Sequence, residues 1–105
     1  MRSIPIMQEL GVPACFDATH VIRLYGISSA DPAGGEPKFV PHLVLSSVAA
    51  GADMLFIETH PDPMSARCDA ASQLDIRNFE NLIVMAKRVR EAIKSPEHVG
   101  VMNPN

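Results

Sequence analysis

The sequence predicts an α/β chain whose elements run α-β-α-β-α, and two observations carry that prediction. The first is a pentapeptide written twice, Phe-x-x-Thr-His, at residues 16–20 and again at 56–60. The match extends backwards, because Gly11 and Gly51 each stand five residues before the Phe. The second is a helical stretch, 40–50, lying between the copies. A strand, a helical crossover and a second strand at this spacing describe a βαβ unit with parallel strands. Side chains alternate faces along a strand. Phe16, Ala18 and His20 are therefore expected on one face, and Phe56, Glu58 and His60 on the equivalent face of the second strand. Both imidazoles then stand at carboxyl ends of parallel strands, where α/β folds keep their chemistry.

Each element follows from local residue chemistry. Ser3, Pro5, Ile6, Met7 and Leu10 read as one or two helical turns, with Ser3 as cap and Gly11 closing in the left-handed conformation. The first strand covers 12–19, interrupted early by Pro13. A long irregular stretch, 20–39, holds Gly26, Pro32, Gly34, Gly35 and Pro37, and connections of this length inside a compact domain usually carry function. Pro41 opens the crossover helix, Leu43, Val44 and Val48 give it an apolar surface, and Gly51 ends it. The second strand covers 52–59 and is apolar on both faces at Met54, Leu55, Phe56 and Ile57, as expected of a covered strand. A polar loop, 60–74, leads to the last helix, 75–94. There Phe79, Leu82, Ile83, Ala86, Val89 and Ile93 keep helical spacing, while Asp75, Arg90 and Lys94 suit the helix dipole. Residues 95–105 show no pattern and are expected to form a loose tail, leaving 1–94 as the folded unit.

Composition narrows the function classes. At 105 residues the chain is one domain at most. A net charge of −3 gives no case for nucleic acid, and Lys87, Arg88, Arg90 and Lys94 read as one solvated helix face. No apolar run approaches the roughly 20 residues that cross a bilayer, so no membrane partner is expected. Cys15, expected in the core, and Cys68, in a loop, have no disulfide-framework spacing, which makes a reducing cytoplasm the expected compartment. Two strands with three helices leave both strands as sheet edges. The chain is thus expected to be a segment of a larger (β/α) barrel or to self-associate.

Three residues draw attention as a site. Glu58 ends an apolar strand, where a carboxylate is costly unless paired, hydrogen-bonded or bound to a cation. His20 ends the neighbouring strand, and Asp69 lies in the loop that can fold back over both ends. One imidazole and two carboxylates at a common strand end make a set suited to a divalent metal such as Mn, Fe or Zn. Alternatives stay open for each: a salt bridge for Glu58, a hydrogen-bonded strand-end histidine for His20, a turn former or cap for Asp69. His60, followed by Pro-Asp-Pro, suits a role in positioning the loop or supporting the ligands slightly better than direct ligation. Cys68 is expected to be an inert loop thiol. His42 and His98 belong to no constellation. Gly34 and Gly35 could offer backbone N–H groups to a phosphate, although a Gly pair is more often a flexible turn.

Four stretches in order, Phe-Asp-Ala-Thr-His (16–20), Gly-Gly-x-x-x-Phe-Val (34–40), Phe-Ile-Glu-Thr-His-Pro-Asp-Pro (56–63) and Cys-Asp-Ala-Ala-Ser-Gln-Leu (68–74), strongly resemble the C-terminal part of the 3-deoxy-D-manno-octulosonate 8-phosphate synthase (KDO-8-phosphate synthase) family. The resemblance covers about residues 2–94. It implies a TIM (β/α)8 barrel of which this chain supplies strands seven and eight. It further implies condensation of phosphoenolpyruvate, through its C3, with the aldehyde of arabinose 5-phosphate, water adding at C2 and phosphate leaving, in lipopolysaccharide precursor synthesis. Metal-dependent members bind their ion through a Cys on the first strand plus a His, a Glu and an Asp, which fall on His20, Glu58 and Asp69 here. Gly34, Gly35, Ser72 and Gln73 are the substrate-side positions of the matching motifs, and no organic cofactor is implied.

Departures from the family pattern set further expectations. The first six strands and their metal Cys have no counterpart here, so a homo-oligomer or a complementing chain is expected and the chain alone is not expected to be active. Where the family has Pro-Gly-Gly the chain has Leu24-Tyr25-Gly26, and Pro37-Lys38 replace an Arg-Glu pair. The related synthase that uses erythrose 4-phosphate (DAHP synthase) shares the His-Pro-Asp-Pro feature, but its strand-seven motif reads Asp-Pro-Ser-His. A non-enzymatic remnant serving as a binding or assembly module is the third possibility.

Overall fold

The computed structural model describes residues 1–94; the expected tail, with His98, lies outside the described residues. In chain order it has α1 (Ser3–Gln8), β1 (Cys15–Asp17), α2 (Val40–Ala49), β2 (Met54–Phe56), β3 (Thr59–His60), β4 (Leu74–Asp75) and α3 (Phe79–Ile93), with 3₁₀ turns at His20–Ile22, Pro37–Phe39, Pro63–Ser65 and Ile76–Asn78. β1 and β2 pair in parallel across the α2 crossover, the βαβ unit that the repeat predicts. A second parallel pair, β3 with β4, occupies part of the region expected to be loop. The chain is thus a small α/β unit of short parallel strands and helices, consistent with a piece of a barrel.

Both principal strands are three residues long where eight were expected, and each truncation has a cause. Gly11 takes φ +83° and Pro13 lacks an N–H, so ladder pairing begins only at Cys15. At the far end the Ala18 N–H still donates to Phe56 O (3.1 Å), but the backbone then turns away into His20–Ile22. β2 loses its neighbour there, and the following residues pair with β4 instead.

Register corrects the face assignment. The two copies of the pentapeptide are offset by 40 residues, whereas the ladder sets Phe16 opposite Leu55 and Asp17 opposite Phe56, an offset of 39. A one-residue slip exchanges the faces of a strand. Phe16 and Leu55 therefore pack toward the helices, while Cys15, Asp17, Met54 and Phe56 share the opposite face. Cys15 is exposed there rather than part of the core. Ala18 is fully buried on the helix side, and His20 does not follow it.

The core lies between the strands and the two longer helices. Val40, Val44 and Val48 of α2 meet Leu82 and Ala86 of α3, with Ala18, Ile22 and Leu74 filling the strand side. α3 begins at Phe79, later than the periodicity suggests, because Leu74 and Asp75 are drawn into β4. Asp75 acts as the cap of the intervening turn, its carboxylate accepting the Arg77 N–H at 2.9 Å. Phe79, at the open end of the helix, stays 37% exposed, and Ile83, Val89 and Ile93 are half-buried. Arg90 leaves the solvated basic face; its Nη1 lies 3.5 Å from Ala52 O, while Lys87, Arg88 and Lys94 are exposed.

α1 is held from its side. Ser3 is the first helical residue rather than the cap, and the cap position, Arg2, makes no side-chain bond. Ile4 buries itself against Ala14 and Ala52. Gln8 Nε2 donates to Gly51 O (2.7 Å) and to Asp53 Oδ2 (3.0 Å), and the same oxygen accepts the Ala14 N–H at 2.8 Å. These bonds tie the start of β1 to the turn before β2, and they hold the Asp53 carboxyl below its usual range.

Leu82 is 4% exposed at the contact between the helices. Truncating it to Ala is expected to cost about 2–5 kcal/mol through lost burial and the cavity left behind. Urea unfolding checks this: the midpoint falls while the slope stays as in wild type.

Candidate metal centre

The site begins at the end of β1, where Asp17 folds the chain onto its own side chain. Oδ1 accepts the N–H groups of Thr19 (3.1 Å) and His20 (3.0 Å) and the Thr19 hydroxyl (3.2 Å). Aspartate favours such turns because its short carboxylate reaches the backbone N–H groups two and three residues on. Oδ2 lies 2.7 Å from His20 Nδ1. The imidazole is thereby swung onto the face that carries Phe56, with ring centroids 5.9 Å apart. Strand alternation alone would have sent it with Ala18 to the other side.

Glu58 arrives from the segment after β2, and Thr19 sets its height. The Thr19 side chain is buried, and its Oγ1 accepts the Glu58 N–H at 3.2 Å in place of a ladder bond. On the other side of Glu58, its carbonyl accepts the Leu74 N–H at 2.9 Å. Asp69 is the one non-glycine residue with positive φ (53°) among the described residues. Left-handed backbone is costly for most side chains and least so for Asp and Asn. Its carbonyl accepts the N–H groups of Ser72 (3.0 Å) and Gln73 (3.1 Å) and the Ser72 hydroxyl (3.2 Å), which hold that conformation.

These three segments converge. His20 Nε2 lies 3.1 Å from Glu58 Oε2 and 3.4 Å from Asp69 Oδ2, and the donor atoms all fall within 4.8 Å of one another. Ligand atoms about 2.1 Å from one ion, at tetrahedral or octahedral angles, stand about 3.0–3.4 Å apart. The nitrogen–oxygen separations match that range. The donor set, one imidazole and two carboxylates, suits a divalent first-row ion such as Mn, Fe or Zn. When protonated, the ring presents an N–H on each side, to Asp17 through Nδ1 and to Glu58 and Asp69 through Nε2. Burial alone pushes the His20 pKa down, but hydrogen bonds to Asp17 and Asp69 and their charges outweigh it and leave the group raised above 6.5. For Asp17, burial pushes upward, yet the bonds from His20 and Thr19 hold the carboxyl below 3.8.

The remaining candidates take other places. His60 Nδ1 accepts the Asp62 N–H at 2.9 Å, so its ring shapes the loop, as its setting before Pro-Asp-Pro suggested. Ser72 and Gln73 are buried, and Gln73 Nε2 donates to Cys68 O at 3.0 Å. The Gly34 N–H is given to Asp31 O at 2.9 Å. Gly35 lies so close to the 68–74 segment that a Cβ would stand 2.6 Å from Ala71 O. Cys68 is an exposed free thiol, and His42 is exposed beside Phe39. Asp17 and Thr19 are the residues that sequence reasoning missed. The available signal was an Asp two and three residues ahead of Thr and His, the spacing of a side-chain-capped turn.

Two outcomes follow from this geometry. In the metal-free chain the His20 ring is expected to titrate above 6.5, read from its carbon-bound protons by NMR. A raised folded-state pKa contributes stability that is fully present below the unfolded value and is lost as pH rises through the folded one; the lowered Asp17 acts oppositely, losing its contribution as pH falls below 3.8. Gly35→Ala is expected to lower stability by about 1–3 kcal/mol, because the clash is with backbone rather than a movable side chain. A urea-midpoint decrease checks it.

Comparison with known proteins places the chain. The model of the DAHP synthetase I family matches residues 1–95. A 2-dehydro-3-deoxyphosphooctonate aldolase (KDO-8-phosphate synthase) of Protochlamydia amoebophila is 47% identical over 94 residues, covering 90% of this chain and 34% of the relative. The protein of that name from Koribacter versatilis is 40% identical over 98 residues, covering 91% and 35%. Its counterpart from Caulobacter vibrioides is 43% identical over 83 residues, covering 79% and 29%. The chain spans about a third of the length of these curated relatives. With a family match running nearly end to end over the described residues, the chain belongs to the DAHP synthetase I family.

Proposed function

We propose that this chain supplies strands seven and eight of a KDO-8-phosphate synthase barrel, residues 1–94 forming the partial-barrel unit, and that it carries the His, Glu and Asp of a divalent-metal site. The observation behind it is the convergence of His20, Glu58 and Asp69 beyond the carboxyl ends of two parallel strands. Supporting it is the face of β1 and β2 that α2 and α3 leave uncovered, the side that a barrel turns inward. His20 Nε2 and one oxygen each of Glu58 and Asp69 would hold the ion. When bound, it supplies Lewis-acid polarisation of a substrate oxygen or water. Gly34, Gly35, Ser72 and Gln73 belong to the substrate side by shaping the backbone: Gly35 lets its loop close on Ala71, and Ser72 and Gln73 fasten the Asp69 turn.

In this assignment phosphoenolpyruvate and arabinose 5-phosphate are the substrates, the cytoplasm is the compartment, and the open sheet face is completed by further strands or a second copy. Among the described residues no helix is long and apolar enough to cross a membrane. Tested as a separate polypeptide, the chain is expected to bind metal without turnover.

Two measurements test this. Calorimetric titration of Mn²⁺ or Zn²⁺ into the chain is expected to show one site that His20→Ala abolishes; equal binding by both would remove the centre. A chimera joining the missing strands of the Protochlamydia relative to this chain is expected to release phosphate from phosphoenolpyruvate with arabinose 5-phosphate. Turnover only with erythrose 4-phosphate, or none from a folded chimera, would overturn the substrate assignment.

A further inference from the structure

We propose that Asp17 is the positioning residue of this centre: it keeps the neutral His20 proton on Nδ1 and so leaves the Nε2 lone pair facing Glu58 and Asp69. Three donors, the N–H groups of Thr19 and His20 and the Thr19 hydroxyl, hold Oδ1, so the carboxylate has little freedom to rotate. Oδ2 is then fixed 2.7 Å from Nδ1, the shortest contact the ring makes. A carboxylate only accepts, so a lone pair on Nδ1 at that distance is repelled and an N–H is favoured. Nε2 also faces acceptors, but at 3.1 and 3.4 Å, so the closer and anchored Asp17 oxygen holds the proton and the lone pair is left on Nε2, where a ligand needs it. Histidines that bind metals are commonly oriented in this way through their other nitrogen. The tautomer half of the inference stands on the metal-free geometry; only its consequence for an ion rests on the proposed metal site.

Asp17→Asn is the informative variant. Its amide oxygen can still accept the turn's backbone N–H groups, while its NH₂ would face Nδ1 and favour the proton on Nε2. The full chain, labelled with ¹⁵N at histidine, is measured by long-range proton–nitrogen correlation above the His20 titration, with circular dichroism confirming the fold. Wild type is expected as Nδ1–H and Asp17→Asn as Nε2–H. An Nε2–H wild type, or an unchanged tautomer in the folded variant, would overturn the inference; the wild-type spectrum decides even if the variant does not fold. In a Zn²⁺ titration the variant is expected to bind about 10–100-fold more weakly. Equal Zn²⁺ affinity in a folded variant would also overturn it. If Zn²⁺ does not bind wild type, the metal assignment falls and the tautomer comparison alone decides the role of Asp17.

Discussion

The Asp17 carboxylate sets both the end of β1 and the direction of His20. By accepting the N–H groups of Thr19 and His20 it ends the strand, and through Oδ2 it holds the ring against the face of Phe56. The same turn presents the Thr19 hydroxyl, which donates to Asp17 and accepts from the Glu58 N–H. One buried hydroxyl thus joins the two halves of the βαβ unit at the level of the candidate ligands. Hydrogen bonds to an ionised acceptor are shorter and stronger than neutral ones. Among the bonds to Asp17, the 2.7 Å contact with His20 Nδ1 is the short one, and it is the one that orients the ring.

The sheet imposes the second constraint. β1 and β2 form a two-stranded sheet, so each has one open edge. Helices cover the Phe16 and Leu55 side, while Met54 (53% exposed) and Phe56 (50%) stand uncovered on the other. Two-stranded sheets are marginal in water unless a helix packs on them, and here α2 and α3 provide that packing. The uncovered side is the one toward which Asp17 turns His20. Site and unsatisfied apolar surface share a face, the arrangement expected where further strands close over both.

Several of these features were legible in the sequence, for identifiable reasons. Gly11 and Gly51 take the left-handed conformations their positions suggested, and Pro41 lies in the first turn of α2. Glu58 was readable because a carboxylate ending an apolar strand is costly without a partner, and His20 and Asp69 because the neighbouring strand end and the following loop lead to the same place. The one-residue difference between repeat and ladder was not readable, since similarity between two segments says nothing about which backbone groups pair. That slip moved Cys15 out of the core and put Phe56 beside Asp17. β3 and β4 are two residues each, too short to leave a periodic trace. Asp17 was visible inside the repeated motif, yet a carboxylate that caps its own turn looks like an ordinary strand residue until the chain is seen to bend.

Asp69 shows why the centre needs more than three suitable residue types. Its positive φ is a strain that persists only where neighbouring bonds impose it, and here the neighbours are its own successors. Ser72 and Gln73 both donate to its carbonyl, and the Gln73 side chain fastens the Cys68 carbonyl one residue earlier. Gly35 allows the preceding long loop to press on Ala71 and brace this turn from outside. The motif residues around Asp69 therefore act on the centre through the backbone. They offset the cost of a left-handed aspartate, and what they secure is the backbone position from which the Asp69 carboxylate reaches His20.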